Sequence, residues 1–342
     1  MTDTQNRGSM LKGWTMALAA VVVFTFTGCG SSDDDTATKV GTVADTEEET
    51  ASDSGEESGA GEEAAAEEEA EEEVQTVYYV GDTLMDGDMK IVYMASGVYV
   101  EESSYSQPDE GYQYIYLEFY CENTSDSSDD SISFYSFDCY ADGYSMDMKY
   151  LTEGDLSATL SPGRWTTGAV AFTVPEDAQE IEIEYTTNYF TSDKITFVYQ
   201  GEEDSGFVPE GTAQATDGAF AVGDIVEVDD LRITFVSCEE DTSDNMFITP
   251  SEGCHYVTCT FEFENLGDDD EYVSYYDFDC YADGQSCDQT YFRDDGLSAT
   301  ISSGRKASGT VTFEVPDGAS VVEAEYTVSV WTGNRVVFTC EY

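Results

Sequence analysis

The sequence predicts an all-β protein made of two tandem immunoglobulin-like antiparallel β-sandwiches. The heptad Phe-Asp-Cys-Tyr-Ala-Asp-Gly occurs at 137–143 and again at 278–284, so its copies start 278 − 137 = 141 residues apart. Around each copy, short stretches alternate apolar with polar residues, which is typical of half-buried strands. Neither copy shows an amphipathic helix pattern of convincing length. About seven short strands in roughly 120 residues are the pattern of an immunoglobulin-like sandwich.

The N-terminus has the features of a bacterial lipoprotein signal peptide over residues 1–28. The basic residues Arg7 and Lys12 precede an apolar core from Met16 to Phe26, and the segment ends in Thr27-Gly28-Cys29. This ending resembles a lipobox, in which the cysteine is diacylated and becomes the new N-terminus. A spanning helix needs about 20 apolar residues, and this core is shorter. We predict lipidation of Cys29 and a membrane-anchored protein that faces the extracellular side; a retained anchor and ordinary secretion are the alternatives.

Residues 29–75 form the predicted tether. They are rich in Ser, Asp, Glu, Gly, Thr and Ala and contain no aromatic residue. Such a composition cannot bury enough apolar surface to offset chain entropy, so we predict a disordered, self-repelling spacer. An acidic tail that binds cations is the alternative. The whole chain carries 12 − 73 = −61 formal charges, which excludes nucleic acid as an expected partner.

The rest of the chain divides into repeat 1 (76–200), a polar linker (201–217) and repeat 2 (218–342). The repeats open with Val-Gly-Asp at 80–82 and 222–224. In repeat 1 one strand has four apolar residues on one side: Ile115, Leu117, Phe119 and Cys121. Its counterpart in repeat 2 has Val257, Cys259, Phe261 and Phe263. The linker composition predicts a variable orientation between the repeats.

The order of motifs in both repeats resembles a known family. The Val-Gly-Asp opening is followed by a hydrophobic strand that ends in Asn123 or Asn265, then by the heptad, then by Gly-x-Val-x-Phe-x-Val-Pro at 168–175 and 309–316. This order is similar to a bacterial extracellular domain-of-unknown-function family. That family is grouped with the immunoprotective extracellular protein, immunoglobulin-like superfamily, and its members are often lipoproteins with a low-complexity tether. The resemblance implies the fold of both repeats and leaves the ligand open.

Eight cysteines remain after Cys29 is assigned to lipid. In repeat 1, Cys121 and Cys139 both fall on inward faces, which predicts a disulfide between them; two buried thiols are the alternative. The six cysteines of repeat 2 allow 15 pairings. We expect Cys238 to pair with Cys254, because they bracket a loop without counterpart cysteines in repeat 1. A further bond is expected between two of the three inward cysteines Cys259, Cys280 and Cys340.

Two surface features are weak binding candidates. Acidic loops occupy equivalent positions in the repeats and could supply oxygens for Ca²⁺. Their central residues are Asp129 and Asp130 in repeat 1, and Asp269 and Asp270 in repeat 2. The outward side of one strand in repeat 1 carries tyrosines that could contact a sugar or a protein. These are Tyr112, Tyr114, Tyr116 and Tyr120.

Catalytic motifs are absent from the sequence. It has one histidine, His255, and no serine nucleophile elbow, phosphate-binding glycine loop or zinc-protease motif. We therefore expect a non-enzymatic surface lipoprotein without a cofactor or a dedicated metal site. Its repeats would act as binding or adhesion modules toward an envelope or extracellular protein or glycan. A calcium-dependent structural or sensor module is the alternative, and a hydrolase would require an inward carboxylate pair in a cleft.

Overall fold

The computed structural model describes residues 38–42, 76–101, 105–151, 154–188, 193–211, 215–241, 249–291, 293–329 and 334–341. The strands up to the end of the linker are β1 (Thr38–Thr42), β2 (Val77–Tyr78), β3 (Asp82–Asp86), β4 (Met89–Tyr99), β5 (Tyr112–Asn123), β6 (Asp130–Ser133), β7 (Phe137–Ala141), β8 (Tyr144–Lys149), β9 (Ser157–Leu160), β10 (Trp165–Pro175), β11 (Ile181–Asn188), β12 (Asp193–Val198) and β13 (Glu203–Asp204). Those of repeat 2 are β14 (Phe220–Ala221), β15 (Ile225–Val228), β16 (Leu231–Glu240), β17 (Cys254–Asn265), β18 (Glu271–Ser274), β19 (Phe278–Ala282), β20 (Gln285–Ser286), β21 (Gln289–Thr290), β22 (Ser298–Ile301), β23 (Lys306–Pro316), β24 (Val321–Ser329) and β25 (Asn334–Glu341).

Repeat 1 is a sandwich of two sheets. One sheet runs β3-β4-β5-β10, and the other runs β2-β12-β11-β7. Strand β8 pairs with both β7 and β10 and so joins the sheets at one side. The core lies between the sheets, where Phe119 and Phe197 pack edge to face with ring centroids 4.8 Å apart.

Repeat 2 has the same architecture. Its sheets run β15-β16-β17-β23-β21 and β14-β25-β24-β19-β20. Phe261 and Phe338 take the positions of the two core rings of repeat 1, with centroids 5.0 Å apart. The predicted pair of all-β sandwiches is confirmed.

The heptad forms a strand that runs into a tight turn, as predicted. Phe137, Cys139 and Ala141 point into the core, and β7 then pairs with β8 across the turn. Asp142 and Gly143 both have positive φ, at 48° and 80°, as a type I′ hairpin turn requires. The copy in repeat 2 has the same conformation. This explains why the Asp-Gly pair ends both heptads.

Two further repeated residues have structural roles. The buried Asn123 side chain donates to the carbonyl oxygens of Leu160 and Ser128, both at 2.8 Å, and so holds the acidic loop against the sandwich. Asn265 makes equivalent bonds in repeat 2. Gly168 and Gly309 recur because each packs tightly on a leucine backbone: a Cβ on Gly309 would lie 2.5 Å from the Leu297 Cα.

The segment 29–75 was expected to be an unstructured tether. Within it, β1 pairs antiparallel with β3, so residues 38–42 differ from that expectation. The rest of the tether, the signal peptide and Cys29 lie outside the described residues. Within the described residues, no helix is long and apolar enough to cross a membrane.

The linker and the repeats are held together, contrary to the expected variable orientation. Strand β13 in the linker pairs with β4 of repeat 1. Strand β10 of repeat 1 pairs in parallel with β20 of repeat 2 at Trp165 and Gln285, and the Trp165 N–H donates to the Gly284 carbonyl oxygen at 3.2 Å. The expectation failed because linker composition carries no information about the surfaces it joins.

Candidate functional site

Each repeat carries a short 3₁₀ turn immediately before the heptad strand. It spans Phe134–Ser136 in repeat 1 and Tyr275–Asp277 in repeat 2. The hydroxyl of the preceding serine accepts a hydrogen bond from the second turn residue in both copies. In repeat 2 the Asp277 carboxylate also accepts from the Ser274 N–H at 2.9 Å, which completes a capping box. The caps fix the direction of the aromatic side chains on the turn.

The aromatic residues of the turn form an exposed cluster in each repeat. Aromatic cluster 1 consists of Phe134, Tyr135 and Tyr150, and aromatic cluster 2 consists of Tyr275, Tyr276 and Tyr291. Every member of cluster 2 follows its counterpart by 141 residues, for example 291 − 150 = 141. Tyr135 is 67% exposed and Tyr276 is 70% exposed. The duplication places the same aromatic surface at the same point of both sandwiches.

Polar groups lie directly beside aromatic cluster 2. The Gln289 side chain donates to the Tyr275 carbonyl oxygen at 2.7 Å and accepts from the Tyr291 hydroxyl at 2.8 Å, so one amide fixes two members of the cluster. A cavity of about 110 Å³ adjoins the rings and is also lined by Arg293. The Arg293 guanidinium is held by two carboxylates, with Nε 2.9 Å from an Asp295 oxygen and Nη1 2.7 Å from an Asp241 oxygen. Rings and hydrogen-bonding groups thus meet at one surface.

A larger cleft of about 350 Å³ lies between the two repeats. Asp155 of repeat 1 and Asp288 and Glu314 of repeat 2 line it, together with the thiols of Cys254 and Cys287. The pKa of the Asp288 carboxyl is raised, mainly by burial and to a smaller extent by the negative charge of Glu314. One Glu314 carboxylate oxygen already accepts the Ser251 N–H at 3.0 Å. The cleft therefore suits a polar or cationic ligand better than an apolar one.

The repeats also meet through a buried polar interface of two different surfaces. The loop surface of repeat 1 consists of Asp129, Ser161 and Arg164. The strand face of repeat 2 consists of Tyr281, Glu323, Glu325 and Arg335. Arg164 donates to Glu325 at 2.6 Å and to Glu323 at 2.7 Å, and its guanidinium lies 4.5 Å from the centre of the Tyr281 ring. Arg335 forms an ion pair with Asp129.

Ser161 completes this interface. Its hydroxyl donates to Glu325 at 2.6 Å, and its N–H donates to the Tyr281 hydroxyl at 3.0 Å. Desolvation alone would lower the pKa of Arg164, but Glu325 and Glu323 outweigh it, and the pKa is raised. Beside the interface, burial raises the pKa of Asp279 to about 6, partly opposed by Arg335. Arg164 is therefore the main counter-charge of the two buried glutamates, beside the more distant Arg335 at 3.8 Å from Glu325.

The predicted disulfides are wrong. Cys121 and Cys139 are buried free thiols, and the disulfide of repeat 2 joins Cys238 to Cys340 across the sandwich. Cys254, Cys259 and Cys280 form no disulfide, so neither the expected Cys238–Cys254 bond nor a bond within the inward trio is present. The Cys259 sulfur lies within 4.8 Å of both disulfide sulfurs, and burial raises the pKa of its thiol to about 12. A protonated thiol beside two bonded sulfurs is not a metal site.

The predicted tyrosine stripe is only partly a surface. Tyr112 is exposed and Tyr116 is half-buried, but Tyr114 and Tyr120 are buried. Lys149 lies 4.9 Å from the centre of the Tyr114 ring, while Trp165 and the linker residue Phe207 pack on Tyr120. The alternation gave the correct face of the strand, but other segments cover that face.

The acidic loops do not gather into a described metal site. Asp129 is engaged by Arg335, and Asp130 accepts the N–H of Ser131 at 2.7 Å. Asp269 contributes its backbone carbonyl oxygen to Asn265, and Asp270 is exposed. Within the ranges that the structure describes, the three cysteines around the disulfide are the only group of potential ligands close enough together to surround an ion.

Comparison with known protein families identifies the family of both sandwiches. Residues 78–195 and 220–336 each match the Domain of unknown function (DUF4352). The chain belongs to the DUF4352 family. Its two DUF4352 domains coincide with the two sandwiches and confirm the predicted tandem membership of a domain-of-unknown-function family. None of the curated proteins matches the chain.

Solved structures similar to the DUF4352 domains include a candidate lipoprotein of Bacillus subtilis, with 18% identity, a TM-score of 0.31 and coverage of 34% of this chain and 38% of that one. The secreted protein MPT63 of Mycobacterium tuberculosis has 13% identity and a TM-score of 0.28 over 37% of this chain and all of its own. A β-sandwich protein of Clostridium difficile has 15% identity and a TM-score of 0.25, over 39% and 100%. The chain therefore spans well under half of the Bacillus protein.

Proposed function

We propose that the chain is a non-enzymatic surface lipoprotein whose two DUF4352 domains bind a saccharide chain through aromatic clusters 1 and 2. The observation that carries this proposal is the duplication of the exposed cluster at equivalent positions. Core aromatic residues recur because the core must be filled, but exposed rings have no such reason to recur. Two equivalent contact points along one ligand raise the overall affinity through effective concentration.

The chemistry of the clusters favours sugars. Exposed tyrosine faces pack against the apolar faces of sugar rings, and the hydroxyls at their edges hydrogen-bond to sugar hydroxyls. In cluster 2, the Gln289 amide and the Arg293 guanidinium add polar groups beside Tyr291. The formal charge of −61 disfavours polyanionic polymers, so the expected ligand is a neutral or amine-bearing polysaccharide.

Display at the surface rests on the signal-peptide pattern. Acylation of Cys29 would hold the domains on the outer leaflet, since each buried methylene contributes about 0.8 kcal/mol. The acidic segment behind Cys29 would keep them away from the anionic envelope. Metabolic labelling with palmitate tests this part: label should enter the chain and disappear in Cys29→Ala. Equal labelling of the variant would exclude lipidation at this cysteine.

Binding is tested with the mature chain carrying Cys29→Ser, using insoluble neutral and amine-bearing polysaccharides such as cellulose and chitosan. The chain should sediment with one of them, and Tyr276→Ala/Tyr291→Ala should weaken binding at least tenfold. Tyr135→Ala/Tyr150→Ala should do the same from repeat 1. The matched control is Tyr105→Ala, which removes a ring that is 98% exposed outside both clusters.

Three results would overturn the saccharide proposal. They are retention of neither polymer, binding that survives both double variants, and binding to a peptide array that requires the clusters while no saccharide competes. The last result would move the same surface to a protein partner. Release of soluble sugar from either polymer would contradict a non-enzymatic role and direct attention to Asp288 and Glu314 in the cleft.

A further inference from the structure

The two surfaces that form the interface between the repeats each have an equivalent surface on the other repeat, outside that interface. Because the repeats share one fold, each residue of the loop surface of repeat 1 has an equivalent in repeat 2. These are Asp270 for Asp129, Ser302 for Ser161, and Arg305 for Arg164. Each residue of the strand face of repeat 2 likewise has an equivalent in repeat 1. These are Tyr140 for Tyr281, Glu182 for Glu323, Glu184 for Glu325, and Lys194 for Arg335.

The counterparts are open to solvent where the originals are covered. In the loop of repeat 2, Ser302 and Arg305 are exposed, whereas Ser161 is buried. On the face of repeat 1, Tyr140 is half-buried, whereas only 1% of Tyr281 is accessible. Among the described residues, no ion pair involves Arg305.

From this we infer that the chain associates head to tail with further copies of itself. The loop surface of repeat 2 in one copy would dock on the strand face of repeat 1 in the next, as the loop surface of repeat 1 docks on repeat 2 within the chain. Arg305 would lie over the Tyr140 ring and pair with Glu182 and Glu184. The two contacting surfaces differ, so the contact is heterologous and each docked copy presents another free end.

The backbone conformation for this contact already exists at both ends. Gly304 has a φ of 69°, close to 74° at Gly163, so Arg305 leaves its turn in the same way as Arg164. On the receiving face, Glu184 accepts Lys194 at 2.8 Å, just as Glu325 lies beside Arg335. Charge complementarity is preserved, with a guanidinium on one side and two carboxylates on the other.

At the edge of the proposed contact between copies, two residues differ from those at the edge of the internal contact. Lys306 stands where repeat 1 has Trp165, and Tyr144 stands where repeat 2 has Gln285. In the internal contact the large ring, Trp165, lies beside the loop surface. In the proposed contact it is Tyr144, which lies beside the strand face and is 74% exposed. The Lys306 ammonium pairs with Glu262 and Glu264, so its aliphatic stem would pack against this tyrosine in place of the tryptophan ring. Without a covalent linker the association lacks the effective concentration of the internal contact and is weaker.

Sedimentation velocity of the mature Cys29→Ser chain, over a concentration series in 0.15 M salt, tests the inference. The wild-type chain should form dimers and longer species as its concentration rises. Arg305→Ala and Glu182→Ala/Glu184→Ala should each reduce the association constant at least tenfold, while their melting temperatures stay near that of the parent. Glu239→Ala, at an exposed charged site on β16 of repeat 2, should assemble like the parent.

Mixing the two interface variants separates head-to-tail contact from other forms of self-association. Only one productive combination remains, between the intact loop of the glutamate variant and the intact face of the Arg305 variant. The mixture should therefore form dimers that grow no further. A wild-type chain that stays monomeric up to millimolar concentration overturns the inference. So does Arg305→Ala that assembles like the parent, or a mixture that gives no dimer.

Discussion

Arg164 and Arg305 follow the same Gly-Arg motif in the same turn of two similar domains, yet they have opposite environments. Arg164 is enclosed by Glu323, Glu325 and Tyr281, whereas Arg305 faces solvent. The two tyrosines of the heptads differ in the same way. The duplication thus produced two copies of a docking surface, and only one copy of each half is occupied within the chain.

A second difference concerns how the sheets of each sandwich are held together. In repeat 2, Cys238 of β16 is bonded to Cys340 of β25. The equivalent positions in repeat 1 are Ser96 and Tyr199, and Ser96 instead donates a hydrogen bond to the Gly201 carbonyl oxygen at 2.8 Å. The same strand position therefore carries a disulfide in repeat 2 and a hydrogen bond in repeat 1. Equivalent residues of the two repeats therefore have the same backbone geometry, but their contribution to stability depends on what surrounds them.

The largest difference in stability is expected between Arg164→Ala and Arg305→Ala. Arg164→Ala removes the guanidinium that neutralises two buried carboxylates, which costs about 3–5 kcal/mol and should uncouple the repeats. Glu325 then keeps only the Ser161 hydroxyl and the more distant Arg335, and Glu323 keeps the Thr216 N–H. Arg305→Ala should change the free energy of unfolding by less than about 0.5 kcal/mol, because the side chain is exposed. Calorimetry is expected to show two separate transitions for Arg164→Ala alone. Equal stability of the two variants would remove the distinction between an occupied and a free surface.

Reduction should weaken one repeat and leave the other unchanged. The Cys238–Cys340 bond closes a separation of 102 residues, and loss of a native disulfide from a small extracellular domain costs about 2–5 kcal/mol. Cys238→Ser/Cys340→Ser should reproduce the effect without reductant. Repeat 1 should not respond, because Cys121 and Cys139 are already thiols. Hydrogen exchange resolved by repeat measures both, and equal loss of protection in the two repeats would contradict the assignment.

Much of the fold could be predicted because alternation of apolar and polar residues is a local signal. The inward residues of β5 and of the heptad strand are buried as expected. Disulfide partners could not be predicted, since Cys238 and Cys340 belong to opposite sheets and meet only through the three-dimensional register. For the same reason the pattern identified Tyr120 as outward but could not show that Phe207 from the linker covers it.

The candidate site was missed for a different reason. The tyrosines of the clusters lie in the short 3₁₀ turns or directly after strands β8 and β21, outside the strands whose periodicity was interpreted. Their common offset of 141 residues was available in the sequence and could have located them. The internal interface could not have been found this way, because Arg164 and Arg305 have the same local motif and differ only in what faces them.

The aspartates of the heptads provide a test of the same contrast by pH. Asp279 is half-buried and its pKa is about 6, whereas Asp138 is exposed beside Lys194. A pKa raised in the folded state means that this group favours folding below pH 4, and that this contribution is lost as the pH rises through 6. Asp279→Asn should therefore be more stable than the parent at pH 7, by about 1–3 kcal/mol, and lose the advantage near pH 4.

Denaturant titrations at pH 4, 5, 6 and 7 measure this difference. Asp138→Asn, which removes one surface ion pair, should stay within about 0.5 kcal/mol of its parent throughout. An Asp279→Asn variant that is less stable than the parent at pH 7 would show that Arg335 stabilises the ionised carboxylate more than burial opposes it.

The smallest effect should come from removing one hydroxyl from each heptad tyrosine. In Tyr281→Phe the Ser161 N–H loses its acceptor inside the interface, whereas the Ser161 hydroxyl keeps Glu325. The Tyr281 hydroxyl also donates to the Thr159 carbonyl oxygen at 3.4 Å, so Tyr281→Phe should cost about 1–2 kcal/mol. Tyr140→Phe should cost less, because water can replace the partner of its hydroxyl. The order of the two variants reverses only if Tyr140 is itself covered. Tyr140→Phe is therefore also a test of head-to-tail docking: its cost should rise with protein concentration, while that of Tyr281→Phe stays constant.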